Sequence, residues 1–126
     1  MSKRILIADD EMDVIELLKD ALIQRGFEII TASTGVNTLL KAIEERPDLI
    51  LLDIRMPAGS GIGVFENIIK RKELADIPVI FITAFATPEI KKKVIQNGAA
   101  GFITKPFDAD VLIHMIEKEL DIASLI

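Results

Sequence analysis

Five short apolar runs alternate with five stretches of helical period, and this alternation most narrows what the chain can become. The runs occupy positions 4–8, 27–32, 49–52, 79–83 and 101–104. Between them apolar residues recur three and four apart, the spacing that lines one face of a helix. Val14, Leu17, Leu18, Ala21 and Leu22 make the first face, with Gly26 where a helix ends in a left-handed residue. Val36, Leu39, Leu40 and Ile43 make the second, and Pro47 stops it. The third covers about 63–72, with Val64, Phe65, Ile68 and Ile69 inward. Thr87-Pro88 reads as a cap followed by a proline at the first helical position, opening a fourth helix that ends near Asn97-Gly98. Asp108 caps the fifth, which carries Val111, Leu112, Met115, Ile116 and Leu120. Strands that alternate with helices run parallel, and right-handed crossovers put helices on both faces. The expectation is an α/β fold, a doubly wound five-stranded parallel sheet, in a single domain over residues 1–126.

Two of the runs stop on acid. Leu49-Ile50-Leu51-Leu52 ends on Asp53, and Arg4-Ile5-Leu6-Ile7-Ala8 ends on Asp9-Asp10. In an open α/β sheet the carboxyl edge is where sites form, so three carboxylates face one crevice there. Like charges so close are costly unless a cation joins them. Thr83 ends the fourth run and Lys105 follows the fifth, at the same edge. With Lys105 and a divalent ion the charges of the three acids come to roughly zero. All-oxygen ligands favour Mg²⁺, which also leaves room for a phosphoryl oxygen. Lys105 is a compact charge suited to that oxygen, and the Thr83 hydroxyl can donate to it. These parts suit phosphoryl transfer onto a carboxylate.

Composition narrows the function further. The net charge of −5 disfavours nonspecific nucleic-acid binding and anionic membranes. The absence of cysteine excludes disulfides and thiolate sites and fits a reducing compartment. No apolar stretch is long enough to cross a bilayer, and acids at positions 9–11 interrupt any signal-peptide core, so a cytoplasmic location is expected.

Asp-Asp-Glu after the first run, Leu-Leu-Asp-Ile-Arg-Met-Pro at the third, Ile-Thr-Ala at the fourth and Thr-Lys-Pro-Phe at the fifth together resemble the response-regulator receiver domain, of the chemotaxis-receiver type. The four motifs stand in order across essentially the whole chain. The resemblance implies a flavodoxin-like (βα)5 fold with strand order 2-1-3-4-5. It implies a phosphoacceptor at Asp53, a direct Mg²⁺ ligand at Asp10 and an Asp9 that acts mainly through water. The Arg55 backbone carbonyl completes the metal shell, while Thr83 and Lys105 bind the phosphoryl group. It further implies a cis peptide between Lys105 and Pro106. The implied donor is a phosphohistidine on a histidine kinase or phosphotransfer protein. The implied output face is the fourth helix, fifth strand and fifth helix, switched through Thr83 and Phe102. Such a chain is a two-component signalling switch, not an enzyme on a diffusible metabolite. Its output partner, or an effector domain beyond Ile126, is not specified, nor is the choice between monomer and phosphorylation-dependent dimer.

The chain departs from the pattern in places. Phe102 lacks the polar handle that many such rings carry. Arg55 and Phe85, each two residues after a site residue, are expected to alter water's access to an acyl phosphate. Three rival functions keep a place. A metal-dependent phosphatase with an aspartyl nucleophile usually needs an acid where Arg55 stands. A flavin- or nucleotide-binding protein would want Gly, Ser or Thr where Asp9-Asp10 stand. A receiver-like domain could act only by binding partners. Blander readings apply elsewhere: Asp9-Asp10 as a helix cap, His114 and Lys91-Lys92-Lys93 as helix surface, and residues 59–63 as a loop rather than a dinucleotide motif. The apolar tail Ala123-Ser124-Leu125-Ile126 reads either as a last helical turn or as the start of a missing domain.

Overall fold

The computed structural model describes residues 2–84 and 86–120. Strands and helices alternate as β1 (Arg4–Ala8), α1 (Met12–Gln24), β2 (Glu28–Ala32), α2 (Gly35–Glu45), β3 (Leu49–Leu52), α3 (Gly61–Lys70), β4 (Val79–Thr83), α4 (Pro88–Gln96), β5 (Gly101–Thr104) and α5 (Ala109–Glu119). The strands form one parallel sheet in the order β2-β1-β3-β4-β5. This is the doubly wound, flavodoxin-like arrangement expected above. β1 pairs with β3 so that Ala8 stands opposite Leu52. The residues that follow, Asp9 and Asp53, therefore leave the sheet side by side.

Successive side chains of a strand point to opposite faces, and here both faces are dry. Leu6, Ile50, Leu52, Val79 and Phe81 enter a core with Ala42, Val64, Phe65, Ile68 and Val94, from α2, α3 and α4. Ile5, Ile7, Leu49, Leu51, Ile80 and Ile82 enter the other core with α1 and α5, through Ile15, Leu18, Leu22, Leu112, Ile113 and Ile116. Each such Val, Leu, Ile or Phe side chain stabilises the fold by about 1.5–3 kcal/mol relative to an exposed one. The Phe65 and Phe81 rings add an edge-to-face contact at 5.3 Å.

Helix ends follow the expected chemistry. Thr87 accepts from the Ile90 N–H and Asp108 from the Asp110 N–H. Gly26 lies in the left-handed region just after α1, with φ of 90°. Several inward assignments do not hold. Leu17, Val36, Leu40, Ile69 and Val111 are exposed, while Ile15, Thr38 and Ile113 are buried instead. In α2 the face turns because Gly35 packs on the loop after β3, where a Cβ would stand 2.3 Å from the Gly59 carbonyl oxygen. That contact brings Thr38 and Ala42 inward in place of Val36 and Leu40. Phe27 precedes β2 rather than starting it; it is buried, and its N–H donates to the Leu22 carbonyl. α3 begins two residues before the expected start, capped by Ser60, whose hydroxyl accepts from the Gly63 N–H. The apolar tail lies outside the described residues.

Candidate functional site

The carboxyl edge of the sheet gathers the charged residues. The Asp9 N–H donates to the Ala32 carbonyl and the Asp53 N–H to the Ala8 carbonyl, so both acids continue the ladder for one residue past their strands. Both are buried, Asp9 at 0% exposure and Asp53 at 4%. Lys105 is brought back to the same place by its backbone N–H, which donates to the Thr83 carbonyl at 2.9 Å. The Lys105–Pro106 peptide is cis, as expected. The Lys105 ammonium then lies 2.7 Å from Asp9 Oδ2, 2.7 Å from Glu11 Oε1 and 3.0 Å from Asp53 Oδ2.

Oxygens of Asp9, Asp10, Glu11 and Asp53 all lie within 4.8 Å of one another. Asp9 and Asp53 form the buried floor, whereas Asp10 and Glu11 form the exposed rim. Burial pushes the Asp9 carboxyl up to about 6; the adjacent Lys105 ammonium and the hydrogen bond from the Glu11 N–H pull it down, and the Asp53 charge pushes it up again. Burial pulls the Lys105 ammonium down, but its bonds to Asp9, Glu11 and Asp53 outweigh that and hold it above the usual lysine range. Lys105 thus stays charged, and the cluster keeps an excess of negative charge.

A hard divalent cation fits this donor set. Asp9 Oδ2 is fully buried and makes no hydrogen bond of good geometry, although the Lys105 ammonium is 2.7 Å away. The ion pair is close but poorly aligned, and a carboxylate oxygen with two lone pairs keeps capacity for a cation there. An all-oxygen, partly exposed pocket of this kind suits Mg²⁺.

Asp9, Asp10, Asp53 and Lys105, singled out from the sequence, do converge. Thr83 is fully buried at the end of β4 and is tied to Lys105 through the backbone. The Arg55 N–H lies 3.3 Å from Asp53 Oδ1, and its side chain is exposed. Phe102 stands further back, opposite Phe81 in the β4–β5 pairing, with the two rings stacked 6.3 Å apart. Phe85 lies outside the described residues. Glu11, the third residue of Asp-Asp-Glu, joins the cluster without being among the site residues that the sequence singles out. The signal was its position, since the N-cap position of α1, three residues past the end of β1, stands at the same edge. His114 and Lys91-Lys92-Lys93 are exposed helix positions. Beside Lys105 a groove of about 360 Å³ opens between Val14, Leu17, Ala84, Pro106 and Phe107.

Comparison with known proteins gives a consistent result. The family model for the response regulator receiver domain matches residues 5–117. The polar-differentiation response regulator DivK of Brucella anthropi is 36% identical over 120 residues, covering 95% of this chain and 98% of that protein. Among solved structures, a CheY-like response regulator receiver domain protein from Methanospirillum hungatei superposes with a TM-score of 0.90. It is 30% identical, over 96% of this chain and 95% of that one. The chemotaxis response regulator CheY4 of Vibrio cholerae superposes with a TM-score of 0.87 at 26% identity, over 94% and 99% of the two chains.

Proposed function

This chain belongs to the response regulator receiver family of two-component signalling, and from that premise we propose that Asp53 is its phosphoacceptor. The observation that carries the reading is the Asp53 carboxylate, held at the floor of an acidic pocket with the Lys105 ammonium 3.0 Å from its Oδ2. An acid so placed is oriented by its neighbours before any donor arrives. The donor is a phosphohistidine on a histidine kinase or phosphotransfer protein. An Asp53 oxygen forms the new bond to phosphorus as the P–N bond to the donor imidazole breaks. The leaving nitrogen keeps the electron pair of that bond. Such transfer depends on in-line placement and charge neutralisation more than on a general base.

Asp9, Asp10 and Asp53 are the side chains that would hold Mg²⁺, with the Arg55 backbone carbonyl. When bound, the ion supplies positive charge against the phosphoryl oxygens. Lys105 supplies a second positive charge, 3.0 Å from Asp53 Oδ2. The Thr83 hydroxyl donates to the phosphoryl group and couples it to β4. Phe102, stacked on Phe81 across β4 and β5, is the ring that repacks. The output face is α4, β5 and α5. α4 suits that part because Val94 is its one buried residue, so a small energy moves it. Self-phosphotransfer and autodephosphorylation are then the chain's whole chemistry, and it acts as a switch. A cysteine-free chain receiving phosphoryl from a kinase fits the cytoplasm.

The test is incubation with acetyl phosphate in Mg²⁺, read by intact mass. The wild-type chain gains one phosphoryl group, and Asp53→Asn or omission of Mg²⁺ abolishes the gain. An adduct that persists in Asp53→Asn assigns the acceptor to another residue.

A further inference from the structure

Glu11 occupies a helix cap without capping. Its carbonyl accepts from the Val14 and Ile15 N–H groups, and its own N–H donates to Asp9 Oδ1 at 2.9 Å, so its backbone is fixed at the head of α1. Residues chosen for that place are short and turn an oxygen onto the helix N–H groups. The Glu11 side chain makes no such bond. It reaches across to the Lys105 ammonium, 94 residues on, and meets it at 2.7 Å. The ammonium donates to Glu11 and Asp53 and stands in ion-pair contact with Asp9, so carboxylates crowd it from three residues. A phosphoryl oxygen that approaches Lys105 competes with these carboxylates for it.

The three partners are not equally held. Asp9 has no exposed surface and is fixed by the Glu11 N–H; Asp53 is the residue that carries the phosphoryl group. Glu11 is 59% exposed at its side chain and approaches from the solvent. We propose that Glu11 is a latch: it holds Lys105 in the unphosphorylated chain and yields it to the phosphoryl group on Asp53. The latch rests on the phosphoacceptor reading above. It sets a positioning role for Glu11, acting through Lys105, and makes adduct formation compete with an existing ion pair.

The experiment is calorimetric titration of the whole chain with beryllofluoride, a phosphoryl mimic, at Mg²⁺ saturating for each variant. Mg²⁺ affinity is measured separately. Removing the competitor in Glu11→Gln tightens beryllofluoride binding by about two- to fivefold, the range of an exposed ion pair. Glu11→Asp keeps the charge but falls one methylene short, and it is expected to match Glu11→Gln. Glu16→Gln removes the same charge further along α1 and leaves affinity unchanged. In the wild type the Glu11 Cδ carbon resonance shifts as beryllofluoride loads. The latch is overturned if Glu11→Gln binds like wild type, or if Glu11→Asp does. It is equally overturned if the Cδ resonance stays still, or if the only change is in Mg²⁺ affinity. A wild-type chain that binds no beryllofluoride sinks the phosphoacceptor reading itself, and the latch goes with it.

Discussion

Asp9 shows what a single residue costs this fold. Its carboxyl is pushed up to about 6 from an ordinary 3.8, first by burial. The folded chain therefore holds that proton more tightly than the unfolded chain does. For an acid raised in this way, stability is lowest above about 6 and recovers as pH falls toward the unfolded value near 4. The whole difference is roughly 3 kcal/mol, of which about 1 kcal/mol is recovered between about pH 7.5 and 5.5. Urea unfolding without divalent ions, compared with Asp9→Asn, isolates it: the wild type gains stability on acidification relative to the variant. Parallel curves for the two would remove the burial argument. At this scale the site was readable because strand ends advertise themselves: an acid after four or five apolar residues cannot sit anywhere but an edge. Glu11 escaped because its role is set by Lys105, which only the fold brings near.

Elements bear on the site through their backbones as much as their side chains. A Cβ on Gly61 would stand 2.0 Å from the Asp53 carbonyl oxygen and 2.8 Å from the Ile54 Cα. The Gly61 N–H also donates to the Ile54 carbonyl at 2.7 Å. The first turn of α3 is thus seated directly on the residue pair that carries the proposed phosphoacceptor. Gly61→Ala must move either α3 or the end of β3, because neither contacting atom belongs to a flexible side chain. A loss of about 1–3 kcal/mol in urea unfolding is expected, the usual range of overpacking. Phosphoryl uptake from acetyl phosphate should slow as well. Gly63, two residues on, meets only the Ser60 hydroxyl at 3.4 Å. There alanine should be neutral or stabilising by about 0.5–1 kcal/mol, through helix propensity. Equal effects at the two positions would show that propensity, not the seat on Asp53, decides. The same contacts explain why helix faces were read less well than strands. A strand's period of two is rigid, and β1, β3 and β4 sort their side chains accordingly. A helix can rotate about its axis, and in α2 the rotation is decided by Gly35 meeting the Gly59 carbonyl, a contact no apolar spacing encodes. Leu17 looked like core by spacing but stands at the groove beside Lys105.

At the scale of the whole molecule, the pattern of runs and helices predicted the layers but not the order of the strands. Each run is apolar enough for any inner place, and neighbours are chosen by pairing between strands, so the order came through the motif resemblance alone. Its consequence is energetic. Because β1 and β3 are adjacent, Asp9 and Asp53 are forced together, and their repulsion acts on the centre of the sheet rather than on a loose end. Lys105 relieves part of it from β5. Glu11 adds a fourth negative charge that the three-acid balance did not include, so even with a divalent ion the sum is roughly −1. A cation that binds there acts on the global unfolding equilibrium, by mass action on the folded state alone. At a hundredfold excess over its dissociation constant Mg²⁺ contributes about 2.7 kcal/mol, a rise of roughly 5–10 °C in Tm for a chain of this size. Removal with EDTA should reverse the rise fully. Asp9→Asn/Asp10→Asn should start from a higher metal-free Tm, since the repulsion is gone, and should respond little to Mg²⁺. Sodium chloride at matched ionic strength should reproduce only a small part of the wild-type rise, because the buried floor of the cluster is screened far less than a surface charge. If the salt reproduces all of it, the acids are behaving as an ordinary exposed patch, and the packing of β1 against β3 has no bearing on ion binding.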